Sequence, residues 1–411
     1  MATSIFDYAS LVWDGRLSGY APGKLFPLKP NVKDLTGDFF TVTRAGTGYY
    51  FDKDGLYKLA AANVPRIEYN TDGTYRGLLV EPGATNLLLR SQEFDSGTWP
   101  KNATGINTAV GTSGIDPNVA IAPDGTMTAD RVNFLNQADP DVGLNQSVAT
   151  SVSTAYTNSI FVKGEGADIG KQIRVRIRRN TGTTNTVQTT ITLTADWQRV
   201  STNYTTLADN TNIQIVYSSA VGGAVTALIW QAQLETGSVA TSPIVTTAGT
   251  ASRVADVVSL TGASSLIGQT EGTIFVDVIP VQAGATRAII SLDDDNGTSV
   301  FNRYQLAIST SGTRRFQVVS NNVDQANIQP AGNVDGLNWK IAVCYKLDDF
   351  AMYYNGVSVG TDTSGVLPLG TISRVHIGNI ANATQPAIMH IRSVALFPTR
   401  LSNATLASLT A

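Results

Sequence analysis

The stretch ALIWQAQLETGSVATSPIVTTAGTASRVAD, residues 227–256, decides how this sequence is divided into domains. It begins with the segment IWQAQLE, whose apolar and amide residues predict a β-strand. A run of small residues with one proline follows, and Arg253-Val254-Ala255-Asp256 ends the stretch. Because such runs interrupt regular structure, the stretch predicts the end of one β-rich domain and the start of another.

The composition favours an all-β protein with more than one domain. At 411 residues the chain is longer than one typical hydrophobic core supports. Only 15% of its residues are charged, 37 are glycine, and the strand-favouring residues Val, Ile and Thr recur throughout. We therefore predict two tandem β-sandwich domains preceded by an irregular N-terminal region.

Charge and hydropathy argue against several classes of function. The net charge of −3 offers no electrostatic basis for binding nucleic acid or an anionic membrane. No apolar run reaches the roughly 18 residues that a membrane-spanning helix needs. The segment MATSIFDYASLVWDG, residues 1–15, lacks the basic and apolar regions of a signal peptide. The single cysteine, Cys344, leaves no internal disulfide.

Turn signals and alternating apolar residues divide the chain into three segments. Residues 1–85 are rich in glycine, proline and aromatic residues and show little sustained periodicity. Residues 86–250 carry several strands at sandwich-like spacing, and residues 251–411 carry further strands separated by Gly, Asn and Asp turns. The tail after Ser402 predicts a short helix that this serine caps.

The first segment predicts an anchoring arm. Pro22, Pro27 and Pro30 oppose regular helix and central strands. Its large apolar side chains still have to be buried, either against the neighbouring sandwich or on a partner chain. The residues that would anchor the arm to a virion partner are Phe6, Leu11, Trp13, Tyr20 and Phe26.

Two phrases resemble sequences of phage and prophage virion proteins. One is NVPRIEYNTDGTYRGLLVEPGATNLLLRSQEFDSGTW, residues 63–99, and the other is the stretch at 227–256. They occur in the order typical of that family, although Pro243-Ile244-Val245-Thr246 departs from its usual form, which has an aromatic residue before the proline. The resemblance implies a virion structural protein of the tail-fibre, spike or head-fibre type, assembled in the host cytoplasm.

The two larger segments resemble known sandwich modules. Residues 86–250 are similar to the jelly rolls of carbohydrate-binding modules. The phrase NWKIAVCYKLDDFAMYYNGVSVGT, residues 338–361, resembles the central hairpin of concanavalin A-like and laminin-G-like sandwiches. The resemblance implies a host glycan as a ligand, and the tyrosines that would stack on a sugar are Tyr304, Tyr353 and Tyr354. Because the last two are adjacent on a strand they point to opposite faces, so one of them belongs to the core.

The acidic residues do not predict a hydrolase. A glucan hydrolase on a concanavalin-like sandwich would use two glutamates about 5 Å apart. The glutamates are Glu68, Glu81, Glu93, Glu165, Glu235 and Glu271, and none of them has the spacing of such a pair. A serine nucleophile would need a G-x-S-x-G-type turn, which is missing, and both His376 and His390 fall in predicted strands. We predict a protein without enzymatic activity, and pairs of aspartates stay open.

Two further charged groups are candidate sites. Asp293, Asp294 and Asp295 precede Asn296-Gly297, so they would either hold a calcium ion at a sandwich rim or form an ordinary hairpin turn. Arg174, Arg176 and Arg178 lie on one face of a predicted strand. That face is either solvated, or a salt-bridge strip between subunits, or a site for an anionic glycan.

These patterns support three functional hypotheses. The first is a non-enzymatic, tail-associated fibre, spike or baseplate adhesin that contacts host surface glycans and other virion proteins. The second is a capsid-attached head fibre or decoration protein that binds protein partners. The third is a glycan-cleaving hydrolase, against which the glutamate spacing argues. By analogy with other virion appendages we expect a homotrimer organised by the N-terminal arm.

Overall fold

The structure, a computed structural model, confirms the all-β prediction. It describes residues 5–28, 40–101, 105–109, 111, 114–136, 142–179, 186–220, 223–280, 285–330 and 338–411. These residues form 30 β-strands, three short 3-10 helices (Ile5–Tyr8, Gly166–Asp168 and Ala263–Ser265) and one α-helix, α1 (Asn403–Thr410). The backbone N–H of Thr405 donates to Ser402 Oγ, so the helix is capped as the sequence predicted. In the described ranges no helix is both long and apolar enough to span a membrane.

The strands are numbered along the chain. The first nine are β1 (Leu11–Asp14), β2 (Tyr20–Ala21), β3 (Lys24–Leu25), β4 (Phe40–Thr43), β5 (Gly48–Phe51), β6 (Tyr57–Ala60), β7 (Ile67–Tyr69), β8 (Tyr75–Val80) and β9 (Ala84–Asn86). The next ten are β10 (Ile115–Ala120), β11 (Ala129–Phe134), β12 (Leu144–Ala149), β13 (Ala155–Gly164), β14 (Gln172–Arg179), β15 (Thr186–Thr192), β16 (Gln198–Thr205), β17 (Asn212–Ser219), β18 (Val225–Thr236) and β19 (Ala251–Arg253). The last eleven are β20 (Val257–Leu260), β21 (Glu271–Pro280), β22 (Arg287–Asp293), β23 (Arg303–Ile308), β24 (Arg314–Ser320), β25 (Val323–Ile328), β26 (Trp339–Lys346), β27 (Phe350–Tyr354), β28 (Val357–Asp362), β29 (Arg374–Ile377) and β30 (Met389–Phe397).

The chain forms two compact units, and one is inserted into the sequence of the other. The discontinuous unit comprises the described residues of 1–55, 59–82 and 254–411. The inserted unit comprises residues 56–58 and the described residues of 83–253. The division after Arg253 lies next to the boundary that the sequence predicts between residues 250 and 251.

The discontinuous unit is a β-sandwich of two large sheets. One sheet has eight strands in the order β28-β27-β26-β21-β30-β8-β7, with β1 also paired to β30. The other has nine strands in the order β2-β3-β4-β20-β29-β22-β23-β24-β25. The inner faces share one hydrophobic core, to which the first sheet contributes residues such as Val276 and Ile341, and the second Leu306 and Val318.

The N-terminal segment differs from the predicted separate arm, because its described strands belong to these two sheets. The reason lies in β30, whose second half, Ser393–Leu396, pairs with β1 while its first half pairs with β8. Without these partners the backbone N–H and C=O groups of a buried strand would be unsatisfied. Alternation along β1 sends Leu11 and Trp13 into the shared core. The prolines therefore shape short strands and turns rather than a free arm.

The inserted unit is a second sandwich. Its five-stranded sheet has the order β10-β11-β18-β13-β16, and its four-stranded sheet has the order β12-β17-β14-β15. The core between them includes Trp99, Ile160, Val175 and Tyr217. Trp230 is fully buried in a smaller cluster with Phe161. Strands β9 and β19, at the two ends of the inserted sequence, pair with each other.

Amide and carboxylate side chains of β18 hydrogen-bond to the small-residue run that follows this strand within the stretch at 227–256. Gln231 Nε2 donates to the carbonyl of Ile244, and Gln233 Oε1 accepts from the backbone N–H of the same residue. Glu235 accepts hydrogen bonds from the backbone N–H and the hydroxyl of Thr241. The small-residue run is therefore bound along β18 by side chains that replace a neighbouring strand.

A buried ion cluster joins the two points where the discontinuous unit is interrupted. Arg66 Nη1 lies 2.8 Å from Glu81 Oε2, and Arg66 Nη2 pairs with Asp256. Arg44 Nη1 lies 3.0 Å from the other oxygen of Asp256. The backbone N–H of Glu81 also donates to Asp256, and all four side chains are almost fully buried. Two positive and two negative charges therefore balance each other away from solvent.

We predict that Arg66→Met destabilises the discontinuous unit by about 3–5 kcal/mol. The substitution keeps much of the side-chain volume but leaves a buried carboxylate without its counter-charge. Urea unfolding of the full chain measures the change. Lys53→Met, which removes an exposed ion pair with Asp54, is the matched control and should change stability little. Equal midpoints for the two variants would contradict the structural role of the cluster.

Candidate functional site

Four polar side chains form a row across the outer face of the eight-stranded sheet. Asp14 of β1 is the cross-strand partner of Ser393 in β30, Ser393 is the partner of Asp277 in β21, and Asp277 is the partner of Lys340 in β26. Directly opposed residues in neighbouring strands point to the same side of a sheet. The opposite side of these strands packs into the shared core, so the row faces away from it.

A cavity of about 340 Å³ lies over this row. All four residues of the row line it, together with Arg16. Apolar walls are provided by Phe6, Val12, Leu17, Leu28, Phe275, Val394 and Leu409. The Phe6 ring stands edge-on to that of Phe275, with centroids 6.0 Å apart. The cavity therefore combines an aromatic and aliphatic wall with a charged floor.

Asp277 is the electrostatically unusual residue of the floor. It is 5% exposed, and burial raises the pKa of its carboxyl, although Arg392, Arg16 and Lys340 counteract the shift. Arg392 is the extra residue of a bulge in β30, and its Nε lies 3.7 Å from Asp277 Oδ2, too far for a hydrogen bond. Asp277 Oδ1 has no hydrogen-bond partner among the described residues. The floor thus contains a carboxylate whose hydrogen bonding is incomplete, although its Oδ1 is itself shielded from solvent.

The other charged groups of the floor have partners. Asp14 Oδ1 accepts hydrogen bonds from the backbone N–H and the Nε of Arg16, each 2.9 Å long. The Arg16 Nη2 pairs with the second oxygen of Asp14. Lys340 Nζ donates to the carbonyl of Ala411 at 2.5 Å. Of the two carboxylates in the row, only Asp277 therefore has an oxygen without a hydrogen-bond partner among the described residues, and that oxygen is shielded from solvent.

Sequence reasoning missed this site, although both carboxylates leave a signal. Asp277 interrupts the apolar segment TIFVDVIP, and Asp14 ends the apolar segment LVW. A carboxylate in a strand that is otherwise buried predicts either an ion pair or a functional group. That the two strands share one sheet face cannot be read from either segment alone.

The three tyrosines predicted to stack on sugar do not form one surface. Tyr304 is buried in the shared core and stacks on Tyr345, with ring centroids 3.8 Å apart. Tyr353 packs on the outer face, against the cluster around α1. Tyr354 is half-buried on the opposite side, with the guanidinium of Arg314 3.5 Å above its ring. The opposite orientation of Tyr353 and Tyr354 follows from strand alternation, and Tyr304 is not accessible to a ligand.

The predicted anchoring residues are mostly used within the discontinuous unit. Leu11 and Trp13 belong to its core, and Phe6 packs against Phe275 and Phe397. Phe26 is half-buried, and Tyr20 is exposed. Of the two alternatives for this segment, burial against the sandwich of the same chain therefore applies to Phe6, Leu11 and Trp13.

The arginines of β14 lie on the outer face of the four-stranded sheet of the inserted unit. Ile173, Val175 and Ile177 point into the core, as alternation predicts. Arg174 and Arg176 are nevertheless buried, and Arg178 is half-buried. This face is therefore not the fully solvated surface that was one of the three interpretations.

Two aspartates of the predicted acidic turn form ion pairs with one arginine, Arg374. Arg374 Nη2 lies 2.8 Å from Asp293 Oδ1, and its Nη1 lies 2.8 Å from Asp295 Oδ1. Asp294 Oδ2 accepts a hydrogen bond from Asn302. Within the described part of the chain no group of three or more His, Cys, Asp or Glu residues is arranged to hold a metal. Ion pairing with Arg374 therefore accounts for the arrangement of Asp293 and Asp295 in the turn.

The two histidines contact carboxylates in separate places. His390 Nε2 lies 2.7 Å from Glu68 Oε2, and His376 Nε2 lies 3.4 Å from Asp293 Oδ2. Ser291 is the cross-strand partner of His376. This brings a serine, a histidine and an aspartate together, but the side chain of Ser291 is completely buried. A nucleophile must reach its substrate, so the geometry does not support acyl transfer.

Stability should depend on pH through His376. Burial, and secondly Arg374, lower the pKa of His376 to about 4, from an ordinary value of about 6.5. The folded chain then binds fewer protons than the unfolded chain, so stability falls as the pH decreases from about 6.5 to about 4. At about 1.4 kcal/mol per pKa unit, the loss is at most about 3.5 kcal/mol.

Urea unfolding at pH 7 and pH 4.5 checks this expectation by comparing the wild-type chain with His376→Gln. The variant has no imidazole to protonate, so its free energy of unfolding should fall less on acidification than that of the wild type. A fall of the same size in both proteins would show that His376 does not contribute to the pH dependence.

Comparison with known proteins gives partial likenesses in structure. No known family matches the sequence, and no curated protein is similar to it. The CBM40 module of the Ruminococcus gnavus IT-sialidase, bound to α2,3-sialyllactose, is 15% identical over 36% of this chain and 86% of that chain, with a TM-score of 0.32. The leech intramolecular trans-sialidase is 15% identical over 36% of this chain and 24% of that chain, with a TM-score of 0.32. A CBM4 structure is 24% identical over 27% of this chain and 72% of that chain, with a TM-score of 0.23. The description of the fold therefore rests on the sheets of this chain itself.

Proposed function

We propose that this protein is a non-catalytic, glycan-binding component of a phage virion, and that it holds a sugar in the cavity over the polar row. The observation that carries the proposal is the combination of an apolar wall with one buried, unsatisfied carboxylate oxygen. Ligand sites typically have volumes of about 300–1,000 Å³, with mostly apolar walls and a few placed polar groups. The cavity is at the lower end of this range.

A sugar matches both parts of the cavity. The C–H face of a sugar ring packs on aromatic and aliphatic side chains, here Phe275 and the exposed Leu17 at the rim. Its hydroxyl groups donate hydrogen bonds, and the carboxylate of Asp277, which lines the cavity, is an acceptor. Leaving such a buried group unpaired costs about 1–3 kcal/mol or more, which a bound hydroxyl would recover.

The carboxylates favour binding over cleavage. A glycosidase needs one carboxyl group as acid and a second as base or nucleophile, both directed at the scissile bond. Asp277 has the raised pKa that an acid would need. Asp14 is held by three hydrogen bonds from Arg16 and does not offer a free second carboxylate. This arrangement supports the non-catalytic part of the proposal.

The virion assignment is supported by the two phrases that resemble phage proteins. The phrase at 63–99 contains Arg66 and Glu81, and the phrase at 227–256 ends at Asp256. These three residues meet in the buried ion cluster. The shared phrases therefore correspond to the segments that connect the two units, which is the part of a modular protein that relatives with different sandwiches would share.

Attachment to a tail or to a capsid, and assembly as a homotrimer, stay predictions. An arm of unburied apolar side chains does not support attachment or trimer formation, because Leu11 and Trp13 are buried within the unit. Among the described residues of that segment, the large apolar side chains that remain exposed are Tyr8, Leu17, Tyr20, Leu28 and Leu59. Mass measurement of the purified chain in solution checks the trimer, and a monomer at micromolar concentration would contradict it.

We expect the purified full chain to bind host surface polysaccharide without cleaving it. Phe275→Ala, which removes the aromatic wall, should weaken binding at least tenfold in a surface-immobilisation assay. Val216→Ala, in the inserted unit, is the control for a general loss of an apolar side chain. Release of reducing ends should match a protein-free blank. Steady release that Asp277→Asn abolishes would overturn the non-catalytic assignment, and an absence of glycan binding would overturn the function.

The virion assignment has its own test. Particles of the phage that encodes this chain, purified by density gradient, should contain it at a fixed ratio to the major capsid protein. Quantitative mass spectrometry of the particles measures that ratio. Detection only in the soluble lysate would contradict a virion role while leaving glycan binding untouched.

A further inference from the structure

A row of amide side chains lies on the nine-stranded sheet, on the face opposite the shared core. Gln305 of β23 is the cross-strand partner of Gln317 in β24, and Gln317 is the partner of Asn327 in β25. The residues next to them along these strands belong to the core, so this amide row points away from it. Arg303 and Arg315 lie on the same face, two positions before Gln305 and Gln317 respectively.

The two arginines converge on one amide oxygen. Gln317 Oε1 accepts hydrogen bonds from Arg303 Nη2 at 3.2 Å and from Arg315 Nη2 at 2.8 Å. These two nitrogens are therefore within about 6 Å of each other, where like charges repel. The other partners of Arg303 are Gln305 Oε1, 2.9 Å from its Nε, and the carbonyl of Val300. Neither arginine forms an ion pair with a carboxylate among the described residues.

Positive charge exceeds negative charge at this place. Burial lowers the pKa of both guanidinium groups, and Arg315 lowers that of Arg303 further, but both stay charged at neutral pH. Asp324 is the one carboxylate that acts on both arginines, and it is exposed. Asp293 also acts on Arg303, but it forms an ion pair with Arg374. Two guanidinium groups thus face a single exposed carboxylate.

Arg315 has a donor that a ligand can reach. Its side chain is half-buried. The Nε atom is shielded from solvent, whereas Nη1 is not, and Nη1 has no hydrogen-bond partner among the described residues. Asn327, in the amide row, is exposed. A guanidinium N–H donates to a carboxylate, and an amide both donates to and accepts from hydroxyl groups. The patch therefore combines a charged donor with a neutral amide.

We propose that Arg315 and Asn327 form a second binding site, which takes an acidic sugar residue of a polysaccharide. The carboxylate of the sugar accepts from Arg315 Nη1, and its hydroxyl groups bond to Asn327. Arg303 does not contact the ligand but adds positive charge behind Arg315. The carboxylate of Asp324 disfavours nucleic acid, because its closely spaced phosphates would meet a like charge. The site lies on the other sheet from the cavity and does not depend on it.

A matched pair of polysaccharides tests the site on the full chain. The probes are polygalacturonate and the same polymer with its carboxylates methyl-esterified, which removes the charge. In a surface-immobilisation assay at pH 7.5 and low salt, the acid form should bind at least tenfold more tightly. Raising the salt from about 0.05 M to about 0.5 M should reduce this difference, because salt screens the charges. Equal binding of the two forms, or tighter binding of duplex DNA than of the acid form, would overturn the inference.

Variants assign the binding to this patch. Arg315→Gln should weaken binding of the acid form at least tenfold and leave that of the esterified form unchanged. Arg178→Gln is the matched control, because Arg178 is also a half-buried arginine on the outer face of a sheet, in the inserted unit. A loss in Arg178→Gln that Arg315→Gln does not show would place the acidic ligand on β14 and contradict the site.

A second variant keeps the test valid if Arg315→Gln does not fold. Gln317→Glu sets a carboxylate between the two guanidinium groups, where it competes with that of the ligand. It should weaken binding of the acid form at least tenfold. Full binding by the folded Gln317→Glu protein would contradict the role of the arginine pair.

Small neutral probes separate this inference from the proposed function. The methyl glycosides of glucose, galactose and mannose report on the cavity, and Arg315→Gln should leave their binding unchanged. If none of them binds while the acid polymer binds through Arg315, the cavity proposal is wrong and the second site stands. If they bind and Arg315→Gln has no effect on the acid polymer, the proposed function stands and the second site is wrong.

Discussion

Strand β30 is the constraint on which both the fold and the site depend. It lies inside the eight-stranded sheet, where β21 pairs with one edge and β1 and β8 share the other. A buried strand cannot leave its backbone groups unpaired, so the first and last segments of the sequence have to meet there. The inserted unit interrupts the chain between β8 and the following strands of the sheet. The buried cluster around Arg66 and Asp256 joins the two interrupted ends, so the pairing survives an insertion.

The candidate site is a direct consequence of this pairing. Asp14 comes from β1, Ser393 from β30 and Asp277 from β21, so the polar row exists only when these strands are in register. The bulge at Arg392 brings a guanidinium towards Asp277 but stops short of a hydrogen bond. A carboxylate that is buried yet incompletely satisfied is costly to stability. A ligand hydroxyl that donates a hydrogen bond to this carboxylate would offset that cost.

Local features of the fold could be predicted from the sequence, but pairings between distant residues could not. Alternation in WKIAVCYK predicts the strand that the structure has at Trp339–Lys346, and Asn355-Gly356 forms the turn with both φ angles positive. Alternation shows which residues share a face, but it does not show which face is covered. The prediction that Tyr304 contacts a ligand is therefore wrong, because its side chain lies in the core. The register between Asp14 and Ser393 pairs residues that are far apart in the sequence, and no local signal encodes it.

A crystal structure of the full chain soaked with the tightest-binding methyl glycoside tests the central claim most directly. We predict density for one sugar ring over the row of β1, β30, β21 and β26, with a hydroxyl within hydrogen-bonding distance of the Asp277 carboxylate and the ring against Phe275. Density on another surface, such as the arginine face of β14, with the cavity holding only water, would contradict the account.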